Sequence, residues 1–317
     1  MKTQLATISS AVLLLAGCNS GSDNNKTASV SFYVSDAPVE EAEEVVVAFD
    51  ALELIHESGQ RYQLNVVDTD ESQDYQQIDL LEYQGSDSKL ILSDEPILTG
   101  TYRELIVHIK PESYLNWVTN NGVHDLKVPS NKLKLGGFEV TTDSVQSFTI
   151  EFDLRKSLVL RGNDWNNNGY NLKPHGVKIV DNRSAASLRG NIEPSLFYQG
   201  SSCSEDGGNV VYLYQGHGHN GNTLIDNFDP TDADYDDNIE LPENYVEPYA
   251  SVEAEENGDY QFGFIPAGNY TVAFTCSAYE DDPVQYDQIE IANPSDQVSE
   301  VILEPTKEHN LDFPVVP

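Results

Sequence analysis

Positive charge is scarce in this sequence: 17 Lys and Arg stand against 53 Asp and Glu in 317 residues, a formal charge of -36. Phosphate backbones are held by clustered Lys and Arg that replace counterions, so this balance excludes a nucleic-acid partner. An acidic surface instead stays soluble in salty surroundings, repels anionic polymers and attracts cations. Long apolar runs are also missing; the stretch from Leu5 to Ala16 falls well short of the ~20 residues that a helix needs to cross a bilayer. The motifs G-x-S-x-G, H-E-x-x-H, G-x-x-x-x-G-K-[ST] and C-x-x-C are all absent. No serine-hydrolase elbow, zincin helix, P-loop or dithiol pair is therefore predicted, and carboxylate pairs for acid and base chemistry do not stand out from so acidic a background. An enzyme has no support, and no cofactor is required. One methionine and three cysteines, beside many Tyr, Thr, Val and Asn, give the composition of an extracytoplasmic β protein.

The N-terminus agrees with that location. Lys2 supplies a positive start, an apolar segment follows, and "LLLAGC" ends in small residues, which reads as a signal peptide over 1–17. Leu15-Ala16-Gly17-Cys18 resembles a bacterial lipobox. The resemblance implies cleavage before Cys18 and lipid on its sulfur and new amino group, and several acyl chains at ~0.8 kcal/mol per buried CH₂ make a durable anchor. Residues 18–28 are small, polar and without periodicity, a flexible tether. Asn19, rather than Asp, after the cysteine is compatible with the outer membrane in lipoproteins of the enterobacterial type. The expected place is the cell envelope, with the membrane as first partner and either its periplasmic or its outer face open.

The other two cysteines, Cys203 and Cys276, are expected to pair, because leftover thiols in an oxidising compartment usually do. Two buried free thiols are the alternative. "NYTVAFTC" alternates, which puts Tyr270, Val272, Phe274 and Cys276 on one strand face with the sulfur inward. A bridge would close a loop of about seventy residues and contribute roughly 4 kcal/mol in the chain-entropy description.

The chain is long enough for about two domains. From Val30 to Val180 a period of two recurs, in Val30-Phe32-Val34, Leu105-Val107-Ile109 and Phe148-Ile150-Phe152-Leu154, and predicts half-buried strands. The acidic stretch before Val45-Val46-Val47 has the look of a first helical turn, but three β-branched residues in a row favour a sheet, so a turn and then a strand are expected. "VSFYVSDAPVEEAEEVVVAFDALEL", "ILTGTYRELIVHI", "LKVPSNKLKL" and "FTIEFDLRKSLVLRG…YNLKPHGVKIVD" resemble, in that order, the blocks of the bacterial and archaeal family catalogued as domain of unknown function 4382. The resemblance implies a β-rich lipoprotein domain over 29–183 and brings no known activity. Its structural marks here are Asp36-Ala37-Pro38, Gly100 with Tyr102, Asp153-Leu154 with Lys156-Ser157, and Leu172-Lys173-Pro174.

In 184–317, "SLRGNI", "NVVYLYQG", "ASVEAEENGDYQFGFIPAGNYTVAF" and "YDQIEIANPSDQVSEVILEP" read as strands between Gly and Pro turns, with Asn257-Gly258 a tight turn whose residues both tolerate positive φ. The order resembles the carboxypeptidase regulatory-like domains, small transthyretin-like β-sandwiches that are usually spacers or binding modules, with an insertion between Gln215 and Glu255. The fold class predicted is all-β, two β-sandwiches in tandem. "ILTGTY" and "FIPAGNY" echo one another, each placing glycine and then tyrosine at the mouth of a strand, with the ring on the sheet and the hydroxyl expected in water.

Two stretches carry oxygen and nitrogen ligands. In the insertion, His217 and His219 suit a transition metal, and Asp232, Asp234 and Asp236 suit calcium. Glycines among the histidines make holding a site costly, so a mobile acidic loop is preferred. In "RGNDWNNNGYNLKPHG", Asp164, Asn166 and Asn168 alternate before Gly169, with the Tyr170 carbonyl next, as in a calcium loop. His175 stands where that loop needs a bidentate carboxylate, so calcium binding here would be weak, and a hairpin turn between "DLRKSLVLRG" and "YNLKPHGVKIVD", both read as strands, accounts for the composition without it. The reading overall is a non-catalytic surface module for a polysaccharide or protein partner; calcium-dependent adhesion is the alternative and hydrolysis a third, unsupported one.

Overall fold

A computed structural model describes residues 26–37, 42–68, 72–141, 145–163, 166–199, 203 and 208–315. Cys18 and Asp164 lie outside these residues, as do Glu40 and Glu41 of the acidic stretch.

The first half contains β1 (Thr27–Ala37), β2 (Glu44–His56), β3 (Arg61–Asn65), β4 (Gln76–Asp79), β5 (Lys89–Leu98), β6 (Gly100–Ile109), β7 (Trp117–Thr119), β8 (Val123–Lys127), β9 (Lys132–Leu135), β10 (Phe138–Val140) and β11 (Gln146–Asp153). A single helical turn, α1 (Leu154–Ser157), follows, then β12 (Leu158–Asn163), β13 (Asn166–Leu172) and β14 (Val177–Asp181). Sheet β14-β11-β1-β5 faces the larger sheet β10-β6-β2-β7-β8-β13-β12, to which β3 and β4 add on β2 and β9 adds on β6. The alternating residues meet as expected: Val30, Phe32, Val34, Phe148, Ile150 and Phe152 from one sheet pack on Leu105, Val107 and Ile109 from the other. Val45 to Val47 are all buried within β2.

The second half contains β15 (Ala185–Asn191), β16 (Val210–Gln215), β17 (Ala250–Glu253), β18 (Asp259–Pro266), β19 (Gly268–Thr275), β20 (Val298–Leu303) and β21 (Glu308–Asn310). Sheets β18-β15-β21 and β17-β16-β19-β20 enclose a core of Leu188, Phe262, Val211, Leu213, Val272 and Phe274. Cys276, fully buried, is bonded to Cys203 with Cα atoms 4.9 Å apart, closing a separation of 73 residues. The protein is therefore all-β, built from two sandwiches whose sheets share no strand among the described residues.

Four expectations change. "DLRKSLVLRG" starts with the α1 turn, and "YNLKPHGVKIVD" is two strands split at Lys173–Gly176, where the Val177 N–H bonds the Pro174 carbonyl. "YDQIEIANPSDQ" is not a strand; the stretch lies against the outer face of the four-stranded sheet, and Ile291 packs there with Tyr212, Tyr214 and Ala273. At Asn257-Gly258 only Gly258 has positive φ, because the Gly258 N–H bonds the Glu255 carbonyl and the Glu255 N–H bonds the Asp259 carbonyl, a longer hairpin loop that asks for one left-handed residue. The paired tyrosines do not leave their hydroxyls in water. Tyr102 and Tyr270 are 0% and 2% exposed, and each hydroxyl donates to a carbonyl four residues back, Leu98 at 2.9 Å and Pro266 at 2.8 Å. A buried hydroxyl needs such a partner.

Candidate functional site at the junction of the halves

The described part of the insertion is packed rather than a free loop. Leu224, Ile225 and Phe228 give it apolar anchors against the outer face of the four-stranded sheet and the 284–291 stretch, and Asp226, Asn227 and Asp229 are buried with them. Apolar residues between the acids supply what a purely acidic loop lacks.

This packed segment carries the acceptors onto which the first half docks. At the end of β11, Leu154 is buried in the first core and turns Arg155 and Lys156 toward the second half. Arg155 Nη2 donates to Asp281 Oδ2 at 2.8 Å, and Nη1 lies 3.7 Å from Glu253 Oε2. Asp281 also accepts from the Tyr212 hydroxyl (2.8 Å), Asn227 Nδ2 (2.7 Å) and the Asn227 N–H (3.2 Å). Burial opposes the charge on Arg155, but Asp281, Tyr212 and Glu253 outweigh it and raise its pKa above the ordinary arginine value. A buried guanidinium paired and hydrogen-bonded in this way is a specific lock, since losing one partner strands the other.

Four further contacts cross beside it. Lys156 Nζ donates to the Pro248 carbonyl at 2.7 Å, and Asp153 Oδ2 accepts from the Ser251 N–H at 3.1 Å. Lys178 donates to the Tyr249 carbonyl and lies 3.8 Å over the Tyr249 ring. Lys173 pairs with Asp232. Where β1 meets β18 the backbones touch: a side chain on Gly263 would run into the Gly85 carbonyl oxygen, and Gln261 Nε2 donates to Ser86 Oγ at 2.9 Å.

Burial shifts several of these groups. Lys178 falls to about 7, through burial first and the nearby Lys156 second. Lys156 is lowered by burial, and His175 by burial and then by Lys156. Burial raises Glu151, which faces Lys178 across the β11–β14 pair, and raises Asp153. Along the junction runs a cleft of about 690 Å³, with Lys156, His175 and Lys178 on one wall and Tyr245, Glu247 and Tyr249 on the other. A second of about 600 Å³ lies among Gln84, Arg189, Asn191, Glu253, Asp259 and Asp312.

Among the described residues, those expected from sequence to ligate a metal are not gathered together. No group of three or more His, Cys, Asp or Glu with metal-binding geometry occurs among the described residues. His217 Nε2 faces the Val301 carbonyl at 3.0 Å, and His219 Nε2 the Gln215 carbonyl at 2.7 Å. Asp232 Oδ1 accepts from the Asp234 N–H, and Asp236 Oδ1 from the Asn238 N–H, both at 3.0 Å, so these carboxylates shape turns. Asn166 pairs with Asn163 at the tip of the β12–β13 hairpin. Asn168 is exposed, and Gly169 is required not by a metal loop but by close approach of its backbone, at φ 93°, to the Asp125 carbonyl. The Tyr170 hydroxyl accepts from Asn120 Nδ2 at 3.1 Å.

Sequence reasoning missed Arg155, Lys178, Asp281 and the buried Asp226. A signal existed for the first two. With 17 basic residues in the chain, Arg155, Lys156, Lys173 and Lys178 fall within two adjoining motifs, a local excess that called for acidic partners elsewhere.

Residues 27–174 match the family described as Domain of unknown function (DUF4382). No curated protein matches the chain. Among solved structures, the Bacillus anthracis TIE protein is similar at 11% identity and a TM-score of 0.20 over 90% of this chain, which spans 34% of that protein's chain. GBS52, the minor pilin of Streptococcus agalactiae, is similar at 10% identity and TM-score 0.22, over 91% of this chain and 99% of that one. BcpA, the major pilin subunit of Bacillus cereus, is similar at 10% identity and TM-score 0.20, over 91% and 99%.

Proposed function

We propose that this protein is a lipid-anchored, non-catalytic module of the cell envelope that presents two rigidly docked β-sandwiches to a polysaccharide or protein partner. The carrying observation is the junction. Its perturbed groups, Arg155, Lys156, Lys178 and Asp153, each bond across to the other half, so their shifted pKa values have a structural cause and need no catalytic one. Such a lock makes a stiff unit that holds a cleft in fixed shape, as a presenting surface requires.

The anchor reading rests on Leu15-Ala16-Gly17-Cys18 and the polar stretch after it. The second half reads as a carboxypeptidase regulatory-like module, supported by its three-plus-four-strand sandwich and by "NGDYQFGFIPAGNY", which forms β18, the turn and the start of β19. Calcium-dependent adhesion is not favoured by positions whose carboxylates already cap turns. The test is metabolic labelling with a fatty-acid analogue, followed by membrane fractionation. The wild type should carry label and sediment with membranes, and Cys18→Ala should lose both; equal label on the two would overturn the anchor.

A further inference from the structure

We propose that the cleft at the junction binds a carboxylate-bearing sugar, such as a uronic acid unit of an acidic glycan, with Lys156, His175 and Lys178 facing its charge and Tyr245 its ring. This rests on the binding-module reading above and names its ligand class.

Size and place come first. A volume of about 690 Å³ lies in the range of small-molecule sites, and such sites favour domain junctions. Polarity comes second. In a chain of charge -36, this cleft collects three basic side chains on one wall. An ammonium has three donors; Lys156 directs one to the Pro248 carbonyl and Lys178 one to the Tyr249 carbonyl, so both retain donors for a ligand. His175 Nδ1 faces Asp229 Oδ1 at 3.7 Å, while its Nε2 is buried with no hydrogen-bond partner among the described residues. A buried ring nitrogen left unpaired is a cost that a ligand oxygen would remove.

The surrounding charges leave room for an anion. Glu151 and Asp153 stand behind Lys178, but burial holds both toward their neutral forms, and Glu247 at the cleft is exposed to water. The bases instead oppose one another, Lys156 depressing both Lys178 and His175. A carboxylate set among them would ease that repulsion and draw a proton onto Lys178.

The ring has its own place. Tyr245 is 41% exposed, and its ring is steadied edge-to-face by Phe228 at 5.7 Å. Tyr249 has one face under the Lys178 ammonium, so Tyr245 is the open aromatic surface. Inorganic phosphate would engage only the bases and a neutral sugar only the tyrosine; a uronic acid engages both.

Titration calorimetry on the full chain in detergent, with glucuronate, glucose and phosphate at equal ionic strength, tests this. Glucuronate should bind saturably and about tenfold more tightly than phosphate, and glucose should give no saturable heat. Two buffers of different ionisation heat near neutral pH should reveal proton uptake with glucuronate. Lys178→Met should abolish binding. Tyr245→Ala and His175→Gln should each weaken it about tenfold, and these two keep the test alive if Lys178→Met does not fold. The site is overturned if glucuronate gives no saturable heat, if phosphate or glucose binds as well, or if Tyr245→Ala and His175→Gln bind like the wild type. Loss of the Cys18 label would sink the anchor and leave this heat standing, so the two failures are separable.

Discussion

Tyr102 and Tyr270 show what a single hydroxyl does at the mouth of a strand. Each reaches back to the carbonyl four residues earlier and pins the turn that feeds β6 or β19. Tyr102→Phe and Tyr270→Phe should each cost about 1 kcal/mol in urea unfolding, since the carbonyl loses its partner while the ring still packs. Asp226 works differently. It is fully buried, accepts from the Ile289 N–H at 2.7 Å and the Asp287 N–H at 3.3 Å, and its pKa is raised to about 8, chiefly by burial. Between its unfolded value of 3.8 and about 8, the folded form holds a proton that the unfolded chain has lost, so stability from this group falls as pH rises through that window. Asp287, raised to about 7, adds to the same slope. Thermal melts of Asp226→Asn should therefore drop less between about pH 5 and about pH 8 than those of the wild type; an unchanged slope would assign the effect elsewhere.

At the scale of elements, α1 is the smallest and the most consequential. Its four residues carry Arg155 and Lys156 into the other half. Arg155→Met should destabilise by about 3–5 kcal/mol, because Asp281 is left buried without its cation, whereas Arg155→Met with Asp281→Asn should recover part of that loss, the amide oxygen still accepting from Tyr212 and Asn227 without a buried charge. A double-mutant cycle in urea measures the difference. The strands of both sandwiches were legible because burial imprints alternation, as in Val30-Phe32-Val34 and Phe148-Ile150-Phe152. The 286–291 stretch shows where that signal misleads. Its alternation is real, yet the N–H groups of Asp287 and Ile289 go to the Asp226 carboxylate rather than to a neighbouring strand, and periodicity says nothing about where a hydrogen bond ends. The junction was hidden for a related reason. Arg155 and Asp281 are 126 residues apart, and among 53 acids no pattern marks the partner that folding will select.

For the whole molecule, the halves sit as close as the backbone at Gly85 and Gly263 allows. Gly263→Ala should force them apart there. Small-angle scattering should then show a larger radius of gyration, while the disulfide-closed second sandwich keeps its own near-ultraviolet signal; an unchanged radius would mean that the charged lock alone sets the docking. The pairing of β1 with β11 has a further consequence, in time rather than in space. β1 runs parallel to a strand that begins only at Gln146, and β15 runs parallel to β21 at Glu308–Asn310. β1 also pairs with β5 and β15 with β18, but each sandwich completes the pairing of its first strand only with one made much later, and the cost of closing such long loops falls due before the contacts that offset it exist. Each sandwich is expected to complete its folding only after its last-pairing strand is made, and until β11 arrives the edge of β1 away from β5 stays open to other strands.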